Sequence, residues 1–292
     1  GTVRGRGHRA AEPASLTEAL AAAARRAGVT IRTGATVARI LVRDDRVSGV
    51  LLESGEEIPA GLVLSSADPA RTLLGLVDPV WLDPEFLLAV RNVKHRGAEA
   101  RVLFALDGLP AFPGLPSPGQ ALAGTLSLTP TTVALERAYD ASKHGRVSES
   151  PHVEVSVPSI GSPGLAPANR HVLVARVQFA PWELDWNEGR AAALGDQVQR
   201  AIATAAPGFA DRILGRAVLT PRDLEREFSL TEGATSHGEL TLDQILFMRP
   251  VPGYGRHATP VAGLYLCGAG THPGPGIPGG SGWLAAREAL RG

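Results

Sequence analysis

The sequence holds one cysteine, Cys267, among 292 residues, so an internal disulfide is excluded. A lone thiol in a short apolar run reads as a packing residue, compatible with a reducing cytosol. Charge of one sign is also lacking. Lysine plus arginine equal aspartate plus glutamate at 29 each, which argues against a nucleic-acid partner, whose binding surface needs a basic excess. No apolar run approaches the roughly 18 residues of a transmembrane segment, and no signal-peptide pattern opens the chain. A cytoplasmic protein is expected, with a peripheral membrane position as the alternative. No Gly-Lys-Ser/Thr follows a glycine loop, no G-x-G-x-x-G follows an early strand, and no G-x-S-x-G occurs. The eight histidines show neither H-x-x-x-H spacing nor a cysteine partner, so no metal is expected.

What is present suits one large domain or two modest ones, with ample chain for a core. The 34 glycines and 23 prolines lie between periodic segments and read as loops. The opening Gly1–Pro13 is basic and unpatterned, and the chain is expected to begin inside a longer protein or to carry a poorly ordered end. Ser15 and Glu18 form a capping box before a stripe of Leu16, Ala19, Leu20, Ala23 and Ala27 that ends at Gly28. Strands are expected at Val29–Arg32, Thr36–Arg43 and Val47–Leu52. Leu62-Val63-Leu64 reads as a strand covered on both faces, ending at Ser65-Ser66-Ala67-Asp68-Pro69.

From Asp83-Pro84, an N-cap with proline at the first helical position, the style changes. Ala100 to Leu106, Val153 to Val157 and Val172 to Val177 alternate as strands, while Thr132–Lys143, Asn187–Ala206 and Pro221–Phe228 read as helices. The fold class is therefore α/β and α+β. The expected layout is residues 1–14 as linker or poorly ordered, 15–80 with 238–292 as one α/β domain, and 81–237 as an antiparallel-sheet domain.

The stretch Leu264–Cys267 reads as a buried strand, and Trp283, Leu284, Ala286, Ala289 and Leu290 recur at helical spacing. Between them, Gly268 to Gly282 contains seven glycines and three prolines, more than a connector needs. Glycine lets main chain approach a ligand, and a helix start offers unpaired N–H groups and a positive dipole end. A cradle for an anionic or electron-rich oxygen is expected there. His272 lies in this loop, where a loop-structuring role competes with a catalytic one. His95, His144, His152 and His171 read as surface or strand-end residues. Arg249 could pair with an anion, a structural salt bridge being at least as good a reading. Trp182 and Trp186 read as core or rim packing.

These residues also carry a resemblance. Gly238-Glu239-Leu240-Thr241-Leu242-Asp243-Gln244, Arg249-Pro250, the run Thr259 to Gly274 and the helix start after Gly279 resemble the phytoene desaturase-like family of NAD(P)/FAD-dependent oxidoreductases, in the subgroup of pyridine nucleotide-disulfide oxidoreductase domain protein 2. Leu16 to Leu20, Gly28 to Val37 and Ser65 to Pro69 are similar as well, so the likeness spans Ser15 to Gly292. The resemblance implies the C-terminal portion of such a flavoprotein, without the N-terminal β-α-β unit that holds the dinucleotide. It implies a partial Rossmann-like FAD domain from both chain ends and a substrate domain between them for an apolar, carotenoid- or isoprenoid-type molecule. Main chain at Gly268, Ala269 and Gly270 would approach the ribityl and phosphate region of FAD. Gly276, Ile277 and Gly279 would lie near the flavin ring, Val37 on the adenine side, and Ala67 in the cofactor cleft. Since the flavin carries hydride chemistry, few catalytic side chains are expected. The implied activity is that of a desaturase, dehydrogenase or isomerase. The rival readings are a flavin-free binding module, and one half of a split flavoenzyme completed by a second chain or by a missing N-terminal segment.

Overall fold

The computed structural model describes residues 4–6, 13–96, 98–115, 122–129, 131–276 and 279–291. The chain begins with strand β1 (Arg4–Arg6) and helix α1 (Pro13–Arg26), followed by β2 (Val37–Arg43), β3 (Arg46–Leu52), β4 (Glu57–Pro59) and β5 (Val63–Ser65). Next come α2 (Pro84–Arg91), β6 (Glu99–Leu106), β7 (Thr125–Ser127), α3 (Thr132–Lys143), β8 (His152–Ser156) and β9 (His171–Gln178). Helix α4 (Glu188–Ala205), β10 (Ile213–Leu219), α5 (Pro221–Phe228), β11 (Leu264–Leu266) and α6 (Gly280–Ala289) complete it. Helices and sheets are mixed throughout.

Two compact units divide the chain. One comprises Gly1–Ile31 and Gly97–Asp223, the other Arg32–Arg96 and Leu224–Gly292. Helix α1 thus groups with the middle of the chain, and residues 81–96 group with its ends.

The first unit is built on a six-stranded antiparallel sheet in the order β1-β7-β8-β9-β6-β10. Strict alternation along β6 sends Ala100, Val102, Phe104 and Leu106 into the core with Leu173, Ala175 and Val177 of β9. Helix α4 covers this face with Leu194, Val198 and Ile202, started by Asn187, whose side chain accepts from the Arg190 N–H at 3.0 Å. A Cβ at Gly195 would stand 2.8 Å from the Arg216 guanidinium, so glycine permits the helix to sit this close to β10. Phe104 and Phe209 meet edge-on at 5.2 Å. Trp186 packs against this core with its indole N–H donating to the Pro181 carbonyl. Arg4–Arg6, inside the stretch expected as a linker, forms β1 and pairs with β7.

Three expectations fail in this unit. Helix α1 begins at Pro13, which places Ser15 in its first turn rather than at its cap. Its apolar stripe is not buried, since Leu16 and Leu20 are both exposed. Val29–Arg32, which runs across the boundary between the units, belongs to no strand among the described residues, and Val29 and Ile31 are exposed.

The second unit holds a three-stranded antiparallel sheet, β2-β3-β4, and a two-stranded parallel sheet in which β5 pairs with β11. Its core gathers Ile40, Val47, Leu73, Phe86, Val90, Val261, Leu264 and Leu266. Asp83 caps α2 as expected, accepting from the Glu85 and Phe86 N–H groups, with Pro84 opening the helix.

The β5 run departs from its expected double burial. Leu62 is 46% exposed and Leu64 37%, because only one face of the strand rests on the core. Helix α6 stands where the helical spacing put it. Ser281 and Ala285 are its buried positions, Leu284 and Ala289 are half-buried, and Trp283 at 60% and the C-cap residue Leu290 at 85% are exposed.

Candidate functional site

The parallel pair β5 and β11 delivers two loops to the same edge. In α/β sheets ligands bind outside the carboxyl ends of the strands. After β5 come Ser65, Ser66, Ala67, Asp68 and Pro69; after β11 come Cys267, Gly268, Ala269, Gly270, Thr271 and His272. The Cys267 N–H donates to the Ser65 carbonyl at 2.8 Å and extends the pairing by one residue. Cys267 is therefore half-buried just past the strand, where burial pushes its thiol pKa up and disfavours the thiolate.

The two loops touch through glycine. A Cβ at Gly268 would lie 2.4 Å from the Ser66 carbonyl oxygen, and one at Gly270 would lie 2.4 Å from Pro69 Cδ. These two glycines are spent on loop-to-loop packing. Thr271 closes the turn, its N–H and hydroxyl both donating to the Gly268 carbonyl at 3.1 and 2.8 Å. The Ser281 hydroxyl donates to the His272 carbonyl at 3.2 Å and ties the loop to the first turn of α6.

Gly276 and Gly279 differ from this pair. Both have left-handed backbone, with φ 87° and 75°, and a Cβ at either would meet no atom within 4 Å. Gly279 is the N-cap of α6 and supplies no side-chain hydrogen bond, so the first N–H groups of that helix have no side-chain partner from the cap. Ile277 lies outside the described residues. Val37 opens β2 opposite Leu52, and Ala67 is half-buried between Ser66 and Asp68. His272 is half-buried, and its Nδ1 is enclosed with no partner among the described residues.

Behind the glycine loop sits a polar cluster that the sequence reading missed. Asp68, 1% exposed, accepts from the Arg71 N–H at 2.8 Å and from both the Thr231 N–H and hydroxyl, at 3.1 and 2.8 Å. His95 was expected at the surface or a strand end; it is 4% exposed, with Nε2 3.8 Å from Asp68 Oδ1 and Nδ1 3.0 Å from the Val93 carbonyl. His152 is also buried, its Nδ1 bonded to the Thr129 hydroxyl. His171 meets Ser159 Oγ at 3.2 Å, and His144 is exposed at the end of α3. His237 has φ 53°, and its Nδ1 is enclosed without a partner among the described residues. A Cβ on Gly268 would come within 3.0 Å of that nitrogen.

Arg249 forms no ion pair among the described residues. It is 2% exposed and donates to four carbonyls, those of Glu239, Gln244, Ser236 and His237, at 2.6–3.1 Å. Its planar fork organises the segment 236–244, and burial lowers its pKa. Gln244 works alongside it, accepting from the Lys94 N–H and donating to the Lys94 carbonyl. The one signal that could have found this cluster was the recurrence of Gly238 to Gln244 and Arg249 in the quoted motif, a frame around Arg249.

Burial holds the His237 imidazole below its ordinary value of 6.5, with Arg249 and His95 pushing the same way and Asp68 opposing. The native state then binds fewer protons than the unfolded chain between the lowered value and 6.5. The His237 contribution is complete above 6.5 and is lost as pH falls through that window. His257, also lowered by burial, adds to the same slope. Urea titrations of wild type and His237→Gln at descending pH should show a shallower loss in the variant; parallel curves would remove His237 from the acid response.

Residues 2–113 match the family described as DAO, FAD dependent oxidoreductase. The chain is 38% identical over 288 residues to rat pyridine nucleotide-disulfide oxidoreductase domain-containing protein 2, covering 95% of this chain and 50% of that protein. It is 28% identical over 273 residues to a neurosporene-forming phytoene desaturase of Cereibacter sphaeroides, covering 91% and 50%. The chain thus spans about half the length of these curated relatives. Among solved structures, an oxidoreductase from Methanosarcina mazei matches with a TM-score of 0.55 at 16% identity, over 94% of this chain and 53% of that one, a likeness of fold. No helix among the described residues is long and apolar enough to cross a membrane, and they hold no cluster of histidine, cysteine and carboxylates suited to a metal. The FAD-dependent oxidoreductase family model thus matches residues 2–113, and the relatives align along nearly the whole of this chain.

Proposed function

We propose that this chain is part of an FAD-dependent oxidoreductase in which the loop after β11 and the start of α6 hold the flavin, and which desaturates, dehydrogenates or isomerises an apolar, isoprenoid-type molecule. The observation that carries the reading is where the glycines stand. Gly276 and Gly279 keep open, left-handed backbone at the start of α6, whose cap supplies no side-chain hydrogen bond, next to the loop in which Gly268 and Gly270 pack against Ser66 and Pro69. Open left-handed glycines also serve plain turns, such as Gly28, Gly55 and Gly145; here the helix start adds N–H groups that suit an electron-rich oxygen.

In this reading Gly276, Ile277 and Gly279 lie by the flavin ring, and the first N–H groups of α6 donate to it. Gly268, Ala269 and Gly270 run beside the ribityl and phosphate region, held rigid by Ser66 and Pro69. Ala67 lines the cleft and Val37 meets the adenine side. When bound, the flavin accepts the hydride equivalent. The chain orients it, excludes water with the Thr271 turn, and keeps His272 Nδ1 as a candidate proton-holding atom. The antiparallel sheet of the first unit is the substrate-binding part, and the desaturase relative supports an apolar substrate.

Leu62, just before β5, and Leu64 on it are exposed, which leaves room for the version in which another polypeptide segment covers this strand and completes the site. The test is the visible spectrum of the chain purified alone and together with its neighbouring genomic sequence, with Gly279→Trp in parallel. Flavin that is retained in either form and lost in the variant supports the proposal. Colourless protein in both forms overturns it in favour of a binding module.

A further inference from the structure

We propose that a cleft beside the last turns of α6 is a binding site for a small phosphate monoester, gripped by Arg256, Arg287 and Arg291 with His257 and His272. The cleft measures about 330 Å³, within the size range of small-ligand pockets. Its lining comes from three separate segments: the loop before β11 brings Arg256 and His257, the loop after it His272, and the end of the chain Arg287 and Glu288 of α6 with Arg291 just past its C-cap Leu290.

Charge selects the ligand. Three guanidiniums against one carboxylate leave two positive charges when both imidazoles are neutral. A phosphate monoester carries about −1.5 to −2 at neutral pH and offers three acceptor oxygens, which suit guanidinium forks. The cationic groups are only partly engaged. Glu288 takes Arg291 at 3.4 Å, Arg287 lies 4.5 Å from the Trp283 ring, and Arg256 forms no ion pair among the described residues. Trp283, exposed on the outer face of α6, thereby acquires a role: its ring steadies the Arg287 guanidinium at the rim.

His257 gives the cleft a buried donor. It is 4% exposed, and its Nδ1 stands 3.0 Å from the Leu266 carbonyl. In the neutral ring that bond places the hydrogen on Nδ1, which leaves Nε2 to take up a proton when an anion arrives. Burial foremost, and then His272, hold its pKa below 6.5, while the Leu266 carbonyl and Glu288 oppose them. A seated phosphate adds to the opposing side.

This site does not depend on the flavin reading, which uses the first turn of α6; His272 alone belongs to both. The test uses the full chain without added flavin and inorganic phosphate as the probe, followed by calorimetry and by the ring resonances of His257. Phosphate should bind and raise the His257 pKa. Arg256→Ala with Arg287→Ala should weaken it at least tenfold, whereas Glu288→Gln should tighten it severalfold, a gain that lost structure cannot produce. Both arginines are exposed, so the double variant should keep the wild-type melting temperature. Acetate should bind at least tenfold more weakly than phosphate. Absent binding, equal affinity in the double variant, equal affinity for acetate, or displacement of phosphate by FAD would each overturn the proposal.

Discussion

Arg249→Met should cost the second unit a large share of its stability. The side chain is 2% exposed and serves the carbonyls of Ser236, His237, Glu239 and Gln244, so methionine fills the volume and takes this donor from all four, Glu239 alone keeping a bond at 3.4 Å from the Gln244 amide. Each unpaired buried acceptor costs about 1–3 kcal/mol. For three acceptors the lower bound is about 3 kcal/mol, against the 5–15 kcal/mol typical of a domain. Lysine should recover only part of this, because three donors on a point charge cannot reproduce a planar fork that reaches four oxygens. The chain has two units, so its unfolding can show two transitions. Urea unfolding should therefore be followed by probes within the second unit, Trp81 and Tyr254. A midpoint shift worth less than about 1 kcal/mol would mean that water replaces the guanidinium and that the segment 236–244 does not rely on it.

The parts of the fold legible in the sequence were those in which one local pattern had a single structural meaning. Alternation over Ala100–Leu106 and Val172–Val177 became the centre of the antiparallel sheet. Asp83-Pro84 became the cap and first residue of α2 because a short polar side chain before a helix has few other uses. The strand, glycine loop and helix of the tail also stand where the pattern put them. Periodicity gave the period of α1 and α6 but not which face is covered. Leu16, Leu20, Trp283 and Leu290 are exposed because burial depends on what else packs there, and a helical repeat carries no record of that. Leu62 and Leu64 fail for the same reason. The cluster of Asp68, His95, His237 and Arg249 was illegible on other grounds. Its members are up to 181 positions apart, between residues 68 and 249, and meet only through the packing of β5, the segment after α2 and the loop at 231–249. No spacing rule connects residues so far apart.

Glycine substitutions should then separate what the loop needs for folding from what it needs for a ligand. Gly268→Ala forces a methyl to 2.4 Å from the Ser66 carbonyl oxygen and 3.0 Å from His237 Nδ1, and Gly270→Ala forces one to 2.4 Å from Pro69. In the first case the obstacle is backbone, which yields only if β5 and β11 move apart. Overpacking of this kind costs about 1–3 kcal/mol, and more where the neighbour cannot shift. Thermal unfolding of Gly268→Ala should show that loss whether or not flavin is present. Gly279→Ala meets open space and bears only the left-handed φ of 75°, worth about 1–2 kcal/mol. Its melting point should fall less than that of Gly268→Ala. Gly279→Trp starts from the same open Cβ position, and its melting temperature is compared with that of Gly279→Ala. Yet if the flavin rests against this main chain, the tryptophan variant should lose the cofactor while keeping its fold. Retained flavin in Gly279→Trp would move the cofactor away from the start of α6, and an unperturbed Gly268→Ala would mean that the two loops do not press together as tightly as Ser66 and Pro69 imply.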